Sequence, residues 1–308
     1  MESCDQQNGC AIPSINSSTD GFRIDGLETD ATQPRKINVI FVTDPICSHC
    51  WAIEPVWRRL TLNYEINVRY IHGGLLPGWK NFGDPGNGIS KPEDVIPHWQ
   101  QVAAHYGQPI DPSVWINDPI DNSYVLCQAA ITVRQLRPEL ESVFVRLMRE
   151  QIFLFGKNPS KIELLTRLVS DLGLNTELFF ETLDSQNLKH TFSLEQAEMV
   201  RLGAKGFPSL LFLGDSISSL SGSRSYLQLE AAIASMGSRK PARKNLSNIE
   251  KLAAFNSWTS QEASEVFQLS ISEVESFLAT QGLEPVKVNG GVNSGNTVWF
   301  EHNKSVKT

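Results

Sequence analysis

Cys47 and Cys50, separated by Ser48 and His49, are the residues of this chain whose types and spacing could do chemistry. A thiolate is the reactive form of cysteine, so reactivity here depends on what favours an anion at this place. Ile37 to Val42 reads as a β-strand, and the apolar residues from Ile53 to Leu60 recur at helical spacing, so the pair sits at a strand-to-helix junction. The unpaired amides and positive dipole end of a helix N-terminus would stabilise the anion on Cys47. An imidazolium at His49 would lower its pKa further. Cys50, one turn on, is then placed to resolve a mixed disulfide formed on Cys47. C-x-x-C is also half of a zinc knuckle, but no second C-x-x-C or H-x-x-x-H follows. The expectation is a catalytic set of Cys47, Cys50 and His49, with no metal and no cofactor beyond the redox-active pair.

The elements that position this pair follow from the rest of the chain. With 308 residues, 41% of them hydrophobic, it can bury a large core and carry a smaller second unit. A net charge of −7 argues against a general nucleic-acid or membrane-surface binder. No stretch is long and apolar enough to span a bilayer, and the start lacks the pattern of a secretory signal. Five cysteines are few and odd in number, unlike a disulfide-built secreted scaffold. Together these features point to a cytoplasmic protein, in which the Cys47/Cys50 couple would be held mainly as a dithiol.

Residues 1–35 read as a flexible polar tail, with Cys4 and Cys10 as two exposed thiols, a redox pair or metal ligands, the first favoured because their spacing matches no metal motif. Glu65 to His72 reads as a second, parallel strand, completing a β-α-β unit. His72 and Trp79, at and beyond its end, are either groove residues or packed core. Helices are expected from Pro92 to about Leu202, with Cys127 as a small buried hydrophobe in the second. Gly206-Phe207-Pro208-Ser209 then opens an apolar strand at a position where proline removes no central ladder donor. A short strand from Ser216 and a helix from Tyr226 to Met236 end this unit.

Asp44-Pro45 followed by Cys47-Ser48-His49-Cys50-Trp51 resembles the active-site segment of the DsbA-like thioredoxin-fold family. Ser48 stands where the family usually has proline. Gly206-Phe207-Pro208-Ser209 is similar to the cis-proline loop of that superfamily, and Asp121-Asn122-Ser123-Tyr124 also resembles the family. The resemblance covers residues 36–236 and implies an α/β thioredoxin fold with a helical insertion at about 90–202. It further implies a cis Phe207-Pro208 bond facing Cys47, with the Phe207 backbone free to pair with an extended substrate. Ser48, Trp51, Phe207 and Pro208 are then the substrate-binding candidates. Thiol–disulfide oxidoreductase or isomerase activity on protein or peptide thiols and disulfides is the function implied.

Residues 237–248 form a basic linker, and residues 249–308 read as three short helices and a terminal hairpin, similar to a winged helix. Phosphate contacts would need Lys or Arg on the second and third of these helices, which instead carry Glu262, Glu265, Glu273 and Glu275. A protein-interaction or structural role is expected for this module rather than DNA binding. The whole architecture also resembles the bacterial adaptor proteins that deliver the transcription regulator Spx to the ClpXP protease. That resemblance implies an alternative in which the thioredoxin fold is a binding surface.

Overall fold

The structure, a computed structural model, describes residues 10–11, 36–80, 82–237, 241–289 and 297–301. Cys4 and nearly all of the expected tail lie outside them, as do part of the linker and the tip of the terminal hairpin.

In chain order the elements begin with β1 (Cys10–Ala11), β2 (Ile37–Thr43), α1 (Ser48–Ala52), α2 (Glu54–Asn63) and β3 (Ile66–His72). A helical block follows: α3 (Val95–Tyr106), α4 (Val114–Asn117), α5 (Tyr124–Leu136), α6 (Glu141–Phe153), α7 (Ile162–Asp171), α8 (Thr176–Asp184) and α9 (Gln186–Arg201). The chain returns through β4 (Gly206–Phe207), β5 (Ser209–Leu213), β6 (Ile217–Ser221) and α10 (Tyr226–Ser235). It ends in α11 (Asn248–Ala253), β7 (Ser257–Thr259), α12 (Ser260–Phe267), α13 (Ile271–Thr280), β8 (Leu283–Lys287) and β9 (Thr297–Glu301).

The central sheet has the order β3-β2-β5-β6, with β2 parallel to β3 and antiparallel to β5. This is a thioredoxin fold interrupted between β3 and β4 by the helical block. β2 reads as a nearly continuous apolar run because both its faces are covered. On one face Val39 and Phe41 pack with Trp57, Leu60, Leu229 and Ile233 of the flanking helices. On the other, Ile40 and Val42 share a cluster with Cys47, Cys50, Met199 and Phe207. The single helix expected after the cysteines is two, α1 and α2, parted at Ile53, with Pro55 in the first turn of α2 where it costs no hydrogen bond.

The C-terminal elements form a three-stranded sheet, β7-β9-β8, against three helices, as a winged helix requires. Its first strand, β7, was not expected. Residues 241–244 lie against the end of α2: Glu65 N–H donates to Ala242 O at 2.9 Å, Lys244 N–H donates to Asn63 O at 3.0 Å, and the Arg243 guanidinium lies over the Tyr64 ring.

Candidate functional site

Thr43 ends β2, and the chain turns through Asp44-Pro45-Ile46 into α1. The turn is pinned by Asp44, whose Oδ1 accepts the Ile46 N–H at 2.9 Å. Its Oδ2 accepts from Leu75 N–H at 2.6 Å, Ser123 Oγ at 2.8 Å and Cys127 Sγ at 3.3 Å. Asp44 is fully buried, and burial pushes its pKa up despite these donors. Cys127 is therefore buried as expected, but it also donates to a carboxylate that ties α5 to the cysteine turn. Burial, and then Asp44, push its thiol well up.

Cys47 is the N-cap of α1, and its Sγ accepts the Cys50 N–H at 3.2 Å, as a helix start arranges for an anion. Neither sulfur faces solvent: Cys47 and Cys50 are both 0% exposed. Burial pushes Cys47 well above its ordinary value, with further upward contributions from Cys50 and Asp44. Burial also opposes charge on Cys50, but there the Cys47 hydrogen bond, the Arg149 guanidinium and the Thr43 hydroxyl outweigh it, and Cys50 lies below its ordinary value. Burial therefore opposes charge on both sulfurs, and the fold sets a cation beside Cys50. The reason is tertiary: Arg149 arrives from α6, where it bonds Glu54 at 2.6 Å and Thr43 Oγ1. Linear sequence gave no signal for Arg149, whereas Asp44-Pro45 was visible without a role.

His49 is buried, with Nδ1 3.4 Å from Ser223 Oγ and its ring near those of His98 and Tyr106. Ser48 is 2% exposed, its hydroxyl 3.5 Å from His98 Nε2. Burial lowers the pKa of His98. Trp51 does not line a substrate surface as expected. It is fully buried, stacks on Phe153 at 5.5 Å between ring centroids, donates from Nε1 to Pro109 O at 2.8 Å, and carries the Arg146 guanidinium 4.5 Å over its ring. A large aromatic at this position fills the seam between α1 and the helical block.

Phe207-Pro208 is a cis peptide bond. Val42 of β2 pairs with Ser209, so the strand that leads to the cysteines runs beside the strand that follows Pro208. Cys47, Cys50 and Phe207 meet in one buried cluster. The Phe207 ring lies close under Gly73, where a Cβ would come within 2.5 Å of it. The Phe207 backbone, however, is not free. It pairs antiparallel with this chain's own Cys10–Ala11, in the register Cys10↔Phe207 and Ala11↔Gly206.

His72 and Trp79 are packed residues. His72 Nε2 lies 2.9 Å from Glu141 Oε1 in a network with Arg134 and Glu195, and Trp79 donates to Ile120 O at 3.0 Å beside Trp115. Among the described residues, no group of three or more His, Cys, Asp or Glu is placed to hold a metal, and no helix is long and apolar enough to cross a membrane.

The C-terminal module reaches this site through charges. Glu262 of α12 accepts from Arg146 of α6 and lies 3.2 Å from Arg58 of α2, and Arg146 also bonds Glu150 at 2.7 Å. Gln108 Nε2 donates to the same carboxylate at 2.8 Å, and Arg58 Nη1 donates to Ser257 O at 2.7 Å. Glu262 is also the third residue of a capping box with Thr259, so one side chain starts α12 and docks it. Arg146 stands between this cluster and Trp51, the neighbour of Cys50.

The family model described as Thioredoxin matches residues 40–230. A ClpXP adapter protein SpxH from Halalkalibacterium halodurans is 26% identical over 261 residues, covering 81% of this chain and 85% of that protein. Two solved structures are similar in fold. A probable DsbA oxidoreductase from Streptomyces coelicolor has a TM-score of 0.53 at 16% identity, covering 69% of this chain and 94% of its own. The cytosolic disulfide reductase DsbM from Pseudomonas aeruginosa has a TM-score of 0.50 at 21% identity, covering 60% and 89%.

Proposed function

The chain belongs to the thioredoxin family, and on that footing we propose that it is a cytoplasmic adaptor of the ClpXP type. In this reading it holds a protein client on a thioredoxin fold whose Cys47–Cys50 pair is a thiol–disulfide centre. The observation that carries it is Arg146, which lies over Trp51 beside the dithiol and ion-pairs with Glu262 of the C-terminal module. A catalyst of thiol exchange needs an accessible attacking sulfur, and here both sulfurs are enclosed. The buried charges joining α2, α6 and α12 hold the C-terminal module against the thioredoxin unit, as a protein that presents both to one client requires. The extent of the similarity to an adapter protein, four-fifths of each chain, favours the same role.

A second reading has its own support. The Cys50 N–H on Cys47 Sγ, at the start of a helix beside Phe207-Pro208, suits thiol–disulfide exchange with protein or peptide substrates. In that reading Cys47 attacks and Cys50 resolves, without cofactor or metal.

Degradation of purified Spx by ClpXP, with and without this chain, tests the first reading. Acceleration by the full chain and by its Cys47→Ser/Cys50→Ser form is expected. No acceleration, combined with insulin reduction that is lost in Cys47→Ser, would replace the adaptor reading with the oxidoreductase one.

A further inference from the structure

Arg149 belongs to α6, in the helical block, yet its guanidinium is buried against the turn that carries the dithiol. Nη2 donates to Thr43 Oγ1 and lies 3.5 Å from Asp44 O, the carbonyl that also accepts the Cys47 N–H at 3.3 Å. Nη1 donates to Glu54 Oε1 at 2.6 Å. Glu54 also faces Arg58, 3.8 Å away, so its one carboxylate serves two buried cations. The Nε–H of Arg149 finds no acceptor among the described residues, and the group keeps donor capacity that Glu54 and Thr43 leave unused.

A hydroxyl has one hydrogen to give. Thr43 Oγ1 accepts from Arg149, so that hydrogen is turned elsewhere, and it goes to Cys50. The Cys50 sulfur thus has a hydroxyl donor and, behind it, a cation that polarises the donor. We propose that Thr43 and Arg149 are positioning residues for thiol–disulfide exchange, a seat for the negative charge left on Cys50 when a Cys47–Cys50 disulfide opens. This role presupposes the thiol-exchange capacity of the pair proposed above.

In the step concerned, a client thiolate attacks the Cys47 sulfur of the oxidised pair. The client–Cys47 bond forms, the Cys47–Cys50 bond breaks, and its electron pair leaves on Cys50. One disulfide is exchanged for another with no net oxidation. Both sulfurs are enclosed, so water does not solvate the departing thiolate. A donor already aimed at the sulfur in a dry site takes the place of that solvent. The start of α1 supports Cys47, whose Sγ accepts the Cys50 N–H, and the Thr43–Arg149 pair supports Cys50. Each end of the bond has its own anion support, one local in sequence and one brought by the helical block.

The test uses the full chain oxidised at Cys47–Cys50, with excess dithiothreitol as the attacking thiol at fixed pH. Loss of the disulfide is followed by acid quench and peptide mass spectrometry, with circular dichroism on every variant. Arg149→Met, which keeps length and removes charge, is expected to slow opening by about tenfold or more. Arg149→Lys should recover most of the rate, and Thr43→Val should slow opening several-fold. Glu54→Gln separates charge from anchoring by its sign. A less neutralised Arg149 should speed opening, whereas loss of a merely structural anchor would slow it. An unchanged rate in folded Arg149→Met, or a slower one in Glu54→Gln, would overturn the seat while leaving exchange at Cys47 standing. If Arg149→Met does not fold, Thr43→Val and Glu54→Gln decide, and wild-type rates in both would overturn it equally. A wild-type disulfide that neither forms nor opens would overturn the exchange reading itself and the seat with it.

Discussion

Arg58 Nη1 lies 3.2 Å from the carboxylate of Glu262, with 3% of one side chain and 0% of the other exposed, and this pair fastens the C-terminal module to the helix that follows the dithiol. Arg58 also sits 4.2 Å over the Phe255 ring, and burial lowers its pKa to about 10. A buried pair of this kind adds little over a packed apolar pair, yet removing one partner strands the other. Glu262→Ala, which leaves Arg146 only Glu150 and Arg58 only the more distant Glu54 as carboxylate partners, should cost about 3 kcal/mol in urea unfolding, the low end for breaking a buried pair. A loss below about 1 kcal/mol would mean that water reaches the cluster and screens it.

Acid should weaken the same contact. Burial opposes charge on Glu262, but Arg146 and Arg58 outweigh it and hold its carboxyl below the ordinary value. A depressed folded pKa stabilises above the unfolded value, about 4.3 for Glu, and that stabilisation disappears as pH falls through the folded value. Glu262→Gln should therefore be less stable at neutral pH, and should show a shallower loss of stability below about pH 4.3. Parallel acid curves for the two proteins would contradict this.

Asp44 should act on the thiols through its charge. After burial and Cys50, the Asp44 carboxylate is a cause of the raised Cys47 pKa, so Asp44→Asn should lower that pKa and increase the thiolate fraction at a given pH. The pH profile of iodoacetamide labelling at Cys47 should move to lower pH in this variant. The substitution also rearranges the four donors now on Asp44, so circular dichroism must accompany the labelling. An unmoved profile in folded protein would remove Asp44 from control of the thiol.

Truncation after Met236 should not leave an intact thioredoxin unit. It would expose Trp258's packing partner Leu62 and leave Arg58, Arg146 and Glu150 without Glu262 and Ser257. We expect a large fall in thermal midpoint and loss of thiol exchange through unfolding, read by calorimetry. A truncated protein with the full chain's midpoint would show instead that the two parts are energetically independent, as the basic linker alone suggested.

The elements legible in the sequence were those whose signal is local. The apolar run of β2, the alternation of β3, the Cys47–Cys50 spacing and Pro208 before β5 each carry their meaning within a few residues, and the order of these motifs was enough for the thioredoxin fold. α12 was equally legible, because Ala263, Val266 and Phe267 recur at helical spacing.

Electrostatics and pairing belong to the tertiary structure. Nothing near Cys50 in sequence announces Arg149, and nothing near Glu262 announces Arg58 and Arg146. Glu262 counted in the sequence as a surface charge opposed to DNA, and it became the buried joint of the molecule. Trp51 read as a substrate residue and turned inward, because the helical block offered Phe153 and the Pro109 carbonyl. The Phe207 backbone read as a free edge and was taken by Cys10–Ala11. Sequence alone determined which thiols could react and on what fold. Only the folded chain decided which charges stand beside those sulfurs and what lies against the strand edge next to them, because a charge or an open strand edge acts through space on whatever the fold brings near.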